Sequence, residues 1–159
     1  MNTVYFLLGS NLGNSKEQLL LAIENIEKYI GTIIKLSSLY STAAWGNNKQ
    51  PDFLNQVIIV QTLLAPQIVL NEILAIEEKM GRVRTVKNAA RIIDIDILFF
   101  NSEIIKVKDL IIPHPEIQNR RFVLIPLVEI ADLILHPILK KNAQELLNIC
   151  TDNLNVQKI

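Results

Sequence analysis

At 159 residues, with 16 basic and 16 acidic side chains and half its residues hydrophobic, the chain reads as one domain spanning 1–159, with enough material for a substantial core. A formal net charge of zero gives no ground for a nucleic-acid partner, and a lone cysteine, Cys150, excludes an internal disulfide or a cysteine-based zinc site. Mean hydropathy is high at +0.28, but the longest apolar run (122–139) is broken by Pro126, Glu129, Asp132, His136 and Pro137 and cannot span a bilayer. No basic segment precedes the first apolar burst, so a signal peptide is not expected and the reading is cytoplasmic.

In chain order, Val4 to Leu8 is a short apolar run that ends in a turn-rich segment, Gly9-Ser10-Asn11-Leu12-Gly13-Asn14, and predicts a buried strand followed by a loop. Ser15 and Gln18 fit the first and last positions of a capping box, with Ser15 as N-cap. Leu19, Ile23, Ile26 and Ile30 follow at helical spacing, and Gly31 stands where a helix ends. Gly9 and Gly13 match neither glycine-rich phosphate-binding fingerprint. Ile33 to Tyr40 predicts a second strand. Ser41 to Asp52 predicts a loop of a length that is usually functional in a small domain; it carries the sole tryptophan, Trp45. Phe53 to Leu63 predicts a third strand. Pro66, Val69, Ile73, Ile76, Met80 and Gly81 then predict a second amphipathic helix.

The segment from Lys79 to Arg91 contains Arg82, Arg84 and Lys87 and no acid. It runs directly into Arg91-Ile92-Ile93-Asp94-Ile95-Asp96-Ile97-Leu98-Phe99-Phe100, a fourth strand. Alternation puts Asp94 and Asp96 on one face and Ile93, Ile95 and Ile97 on the other. Carboxylates about 7 Å apart repel by about 0.6 kcal/mol in water and about 2.4 kcal/mol at an effective dielectric near 20. Two solvated acids on an exposed face are one reading of this pair. A divalent cation that reverses the sign of the repulsion is the other, and Mg²⁺ is usually held by one or two carboxylates plus substrate phosphates. The arginines likewise read either as a solvated basic loop or as bidentate phosphate ligands.

The order strand, helix, strand, strand, helix, strand predicts a ferredoxin-like α+β fold, an antiparallel sheet with two helices on one face. The C-terminal part adds a hairpin turned near Ser102-Glu103, a rigid Pro113-His114-Pro115 turn, and helices near 123–130 and 142–149. His114 is open to a structural or a phosphate-binding role; His136, in an apolar setting, reads as structural. Phe53 and Asn55 share a strand face, and an aromatic ring beside an amide suits a flat heteroaromatic ligand.

Taken in order, Leu8-Gly9-Ser10-Asn11-Leu12-Gly13, Tyr40-Ser41-Thr42, Gln50-Pro51-Asp52-Phe53-Leu54-Asn55, Ile76-Glu77 with Gly81-Arg82-Val83-Arg84, the Arg91–Leu98 strand, Pro113-His114-Pro115 and Arg120-Arg121-Phe122 resemble hydroxymethyldihydropterin pyrophosphokinase of folate biosynthesis. The resemblance implies a monomer that transfers pyrophosphate from ATP to the hydroxymethyl oxygen of 6-hydroxymethyl-7,8-dihydropterin and releases AMP. It implies Asp94 and Asp96 as ligands of two Mg²⁺ ions, and Arg82 and Arg91 on the phosphates as charge develops. Glu77, Arg84, Ile97, His114 and Arg120, with those two arginines, would line the ATP site. Thr42, Phe53, Asn55 and Phe122, beside Asp94, would hold the pterin. Where many members carry an aromatic residue and Gly-Pro before the position of Arg91, this chain has Val86-Lys87-Asn88-Ala89-Ala90. No role is assigned to Lys87 or Asn88, and Trp45 is expected to supply part of the missing apolar cover over the pterin. Two rivals stand beside this reading: a Mg²⁺-dependent ATP-using transferase with another acceptor, and a ferredoxin-like RNA-binding module.

Overall fold

The computed structural model describes residues 1–43, 50–83 and 90–159. A six-stranded antiparallel sheet lies between two helical layers. Strand β1 (Asn2–Ser10) is central, with β5 (Asp94–Phe100) on one side and β4 (Phe53–Thr62) on the other. Beyond β4 come β2 (Thr32–Leu36), paired with the far half of β4, and β3 (Tyr40–Thr42), paired with its near half; β8 (Val156–Lys158) closes that edge on β3. This is the ferredoxin-like arrangement, with helices α1 (Ser15–Tyr29) and α2 (Pro66–Lys79) on one face.

The period-2 rule sorts the side chains. Val4, Phe6 and Leu8 of β1 join Leu19, Ile26, Val69, Ile73 and Ile76 in the cluster under α1 and α2. Leu7 faces the opposite way, into a second cluster with α3 (Arg121–Ala131) and α4 (Ala143–Ile149). The C-terminal helices therefore cover the face that an RNA-binding platform would leave open, which removes the reading as an RNA-binding module. On β5 the pairing with β1 skips from Phe99 to Ile97, so Leu98 is a bulge residue and Leu98 and Phe99 both enter the second cluster. Below the bulge Ile95 and Ile97 face α1 and α2. Asp94 and Asp96 face the other way, opposite Gly9 and Leu7 of β1.

Several local expectations change. The N-cap of α1 is Asn14, not Ser15: its side chain accepts from the Glu17 backbone N–H at 3.2 Å, because a short amide reaches the exposed donors of the first turn as well as a hydroxyl does. Gly31 follows α1, but not in the left-handed conformation; a Cβ there would lie 2.0 Å from the Gln61 carbonyl oxygen, so close backbone approach requires the glycine. Gly81, after α2, does take φ +93°. The predicted strand 33–40 is two strands. Between them the Ser37 hydroxyl accepts the Val57 N–H at 3.0 Å and donates to the Ser38 carbonyl at 2.8 Å, so a side chain takes the Val57 donor that a continuing ladder would use. Residues 100–103 do turn, with Asn101 at φ +50°. The hairpin itself, however, pairs β6 (Ile105–Val107) with β7 (Leu110–Ile112) and reverses at Lys108-Asp109.

Candidate active site

Two clefts open on the sheet end where β1, β4 and β5 leave the core, and they meet at one carboxylate. The first, about 600 Å³, is lined by Leu7, Gly9, Thr42, Ala43, Phe53, Asn55, Arg91, Asp94, Asp96, Arg120 and Phe122. The second, about 640 Å³, is lined by Leu70, Ile95, Asp96, Ile97, Lys108, Asp109, Leu110, Ile111, His114 and Pro115. Asp96 lines both clefts.

The first cleft has two aromatic rings, each beneath an arginine. Arg91 lies 5.6 Å from the Phe53 ring centroid and Arg120 lies 5.7 Å from that of Phe122. The register of β4 with β1 places Asn55 against Gly9. A Cβ on that glycine would meet the Asn55 side-chain oxygen at 2.9 Å, so Gly9 keeps the cleft floor open. Among the described residues the buried Asn55 amide nitrogen finds no acceptor. A buried unpaired donor is costly, and Asn55 lines the cleft, where a ligand could pair it.

The two aspartates differ in their surroundings. Asp94 is three-quarters buried and accepts from Arg82 at 2.7 Å on one oxygen and from Arg91 at 3.2 Å on the other. Arg82 in turn contacts Glu77 at 2.6 Å. Burial works against the Arg82 charge, but Asp94 and Glu77 outweigh it and hold its pKa above the usual value. Glu77 is 3% exposed and lines neither cleft; it also accepts the Ile95 backbone N–H at 2.9 Å, pinning α2 to β5. Among the described residues Asp96 has no such partner: burial, then the charges of Asp94 and Glu77, push its carboxyl up to about 8. Desolvation and like charge thus act together on it.

His114 is fixed by its backbone N–H, which donates to the Leu98 carbonyl, and by its Nδ1, which accepts from the Glu116 N–H at 3.1 Å. That pairing leaves Nε2 as the donor nitrogen. Burial and the nearby Arg120 charge keep the ring's pKa below the ordinary histidine value. His136 is structural, as read: it is buried edge-on to Phe99, and its Nδ1 accepts the N–H groups of Ile138 and Leu139.

Thus Thr42, Phe53, Asn55, Phe122 and Asp94 share the first cleft, and Ile97 and His114 share the second. Arg91 and Arg120, read as nucleotide ligands, line the first cleft. Trp45, Arg84, Lys87 and Asn88 lie outside the described residues. Asn11 was missed. Its side chain accepts the Arg91 N–H at 2.9 Å and donates to Gln50 at 2.9 Å and to the Pro51 carbonyl at 3.1 Å. Its own N–H donates to the Arg91 carbonyl at 3.1 Å. One buried amide therefore ties Arg91 to the segment that leads into Phe53 and Asn55. The signal for this was slight, one of two asparagines in a turn-rich loop. Lys108 and Asp109, on the wall of the second cleft, carried no signal beyond the turn itself.

Residues 5–132 match the family described as 7,8-dihydro-6-hydroxymethylpterin-pyrophosphokinase, HPPK. The chain belongs to this family. It is 42% identical over 145 residues to the 2-amino-4-hydroxy-6-hydroxymethyldihydropteridine pyrophosphokinase of Aquifex aeolicus, covering 91% of this chain and 90% of that one. Similarity to the Haemophilus influenzae protein of the same name is 42% over 137 residues, covering 85% and 86%. The fold likeness extends to a crystal structure of Plasmodium falciparum HPPK-DHPS, with a TM-score of 0.78 at 21% identity over 92% of this chain and 42% of that one. An HPPK is an enzyme of the diphosphate-transferring class; it moves pyrophosphate from ATP onto hydroxymethyldihydropterin in folate biosynthesis.

Proposed function

We propose that the two clefts divide the substrates of this reaction, with the pterin in the Phe53–Phe122 cleft and ATP in the Ile97–His114 cleft, and that transfer takes place at Asp94 and Asp96 between them. The observation that carries this is the position of Asp96 on the wall of both clefts. A reaction between two bound molecules gains most when their reacting atoms are held together, and here a single side chain borders both.

The acid pair fits Mg²⁺. Asp96 is driven toward protonation by burial and then by the charges of Asp94 and Glu77, a condition that a cation relieves. Among the described residues no group of three or more His, Cys, Asp or Glu is placed to hold a metal, so a cation here would complete its shell with water and phosphate oxygens, the habit of Mg²⁺. We assign Asp94 and Asp96 as the residues that hold two such ions. When bound, the ions supply charge neutralisation along the triphosphate and Lewis acidity toward the attacking hydroxyl.

The chain's own groups account for the rest. Phe53 and Phe122 offer apolar faces to a flat ring, and the unpaired amide of Asn55 reads its polar edge. Arg82 and Arg91 neutralise Asp94 in the ligand-free protein. Their forks also suit phosphate oxygens, so a triphosphate and its cations would draw them off Asp94 and onto the transferring group. Glu77 limits how far Arg82 can travel. Neutral His114 presents a donor on the nucleotide side.

The deciding assay measures AMP with Mg²⁺, ATP and 6-hydroxymethyl-7,8-dihydropterin, omitting each in turn. AMP that requires all three supports the assignment. ADP as the nucleotide product, or equal turnover with unrelated hydroxymethyl heterocycles, rejects it.

A further inference from the structure

The segment after α4 lies beyond the residues matched to the family, which end at 132, yet it touches both walls of the first cleft. On one wall, Asp152 accepts the backbone N–H of Arg121, the first residue of α3, at 3.0 Å. That helix begins at Arg120 without a side-chain cap and with no acid in its first turn, so its exposed N–H groups and positive end meet their carboxylate from 31 residues away in sequence. The residues on either side of Arg121 are Arg120 and Phe122, which line the cleft as a stacked pair. The other Asp152 oxygen accepts the Leu154 N–H at 3.1 Å, turning the chain toward β3. On the second wall, the Thr42 hydroxyl donates to the Asn155 carbonyl at 3.1 Å. Thr42 also pairs with Val156 in the ladder that joins β3 to β8. Thr42 and Ala43 line the same cleft.

We infer that Asp152 is a positioning residue for the acceptor substrate. By capping α3 and starting the turn that carries the chain to β3, it sets the distance between the Phe122 wall and the Thr42 wall. Asp152 acts through Phe122, Arg120 and Thr42, and does not itself touch substrate. The second cleft is lined by none of these three residues, and only the charge of Arg120 reaches it, at His114, so the effect falls mainly on one substrate. The inference rests on the assignment of the first cleft to the pterin.

Steady-state kinetics on the full chain tests it with three variants. D152A is expected to raise the KM for hydroxymethyldihydropterin about 5–20-fold, with the KM for ATP changed less than twofold. D152N keeps one acceptor oxygen and should fall between D152A and the unmodified protein. F122A is the control for the cleft itself and should raise the pterin KM more than D152A does. If D152A lowers the melting temperature but leaves the pterin KM unchanged, or raises both KM values together, Asp152 is only a structural cap and the proposal is overturned. If F122A leaves the pterin KM unchanged, the cleft assignment has failed instead, a separate result. If D152A does not yield folded protein, D152N decides alone: at least a twofold rise in pterin KM with an unchanged ATP KM supports the proposal, and anything less overturns it.

Discussion

The two clefts that meet at Asp96 are built from different material. The Phe53–Phe122 cleft is made largely of framework: Leu7 and Gly9 on the central strand, Phe53 and Asn55 on its neighbour, Thr42 on a short strand clamped from both sides, and Phe122 at a tertiary-capped helix start. The Ile97–His114 cleft is made of an edge strand, a two-stranded hairpin of three-residue strands, and a proline-flanked turn. On the proposed assignment the first cleft would bind by shape and by one buried amide. The second has a more open wall, where Ile111 is 45% exposed. The contrast would suit the chemistry: an unforgiving frame for a small rigid heterocycle, and charge at the junction for a flexible triphosphate.

The junction itself gives the largest expected effects. Asp94→Ala and Asp96→Ala should each lower kcat by about a thousandfold or more, the scale expected when the main charge stabilisation of a transfer reaction is removed. Stability should separate the two. Asp94→Asn loses partners in two ion pairs and should cost about 1–2 kcal/mol, the usual value for charged hydrogen bonds that keep some solvent access. Asp96→Asn removes a charge that burial and its neighbours oppose, and should leave the melting temperature of the metal-free protein unchanged or raised. Thermal unfolding in a chelator checks both. Equal destabilisation by the two changes would break the distinction drawn between them.

Next come the cleft walls. Asn55→Ala should raise the KM for the pterin about 10–100-fold, since a site built to hydrogen-bond its ligand loses heavily when the partner is missing. Its KM for ATP should stay within twofold. Ile111→Ala should do the reverse, raising the KM for ATP about threefold to fivefold, as befits loss of under 1 kcal/mol of half-exposed apolar contact, with pterin kinetics unchanged. Crossed effects would mean that the two clefts are not separate binding sites.

How much of this could be read beforehand depended on how local the cause was. The acid pair followed from strand alternation, and α2 from the spacing of Val69, Ile73 and Ile76 together with Pro66 and Gly81; each signal lies within one element. The break between β2 and β3 was invisible because Ser37 ends the strand by bonding to Val57, a residue twenty positions on. The resemblance grouped Thr42, Phe53, Asn55 and Phe122; alternation alone reached only Phe53 and Asn55. Asn11 and Asp152 stayed hidden for the same reason as Ser37, since their partners lie about 40 to 80 and 31 residues away. Residues that hold a site together across the fold leave little pattern in the chain.

The smallest expected effect concerns pH and belongs to the nucleotide side. His114 is kept neutral by burial and by Arg120, so its pKa in the fold lies below the value near 6.5 of the unfolded chain. Between those two values the unfolded state binds the extra proton, and stability therefore falls as pH drops through that window and is fully present above it. His136 is held neutral in the same way by burial alone and adds to the loss. A His114→Gln variant of the ligand-free protein should show a shallower fall in melting temperature from pH 7.5 to 5.5, by about 1–3 °C, the scale of a fraction of a kcal/mol to one kcal/mol in a chain of this length. A steeper fall would reverse the sign of the linkage and require His114 to be charged in the fold. With ATP bound the difference should shrink, because phosphate oxygens favour the protonated ring and bring its pKa back toward the unfolded value. No such convergence should follow from the pterin alone, which the proposed assignment puts in the other cleft.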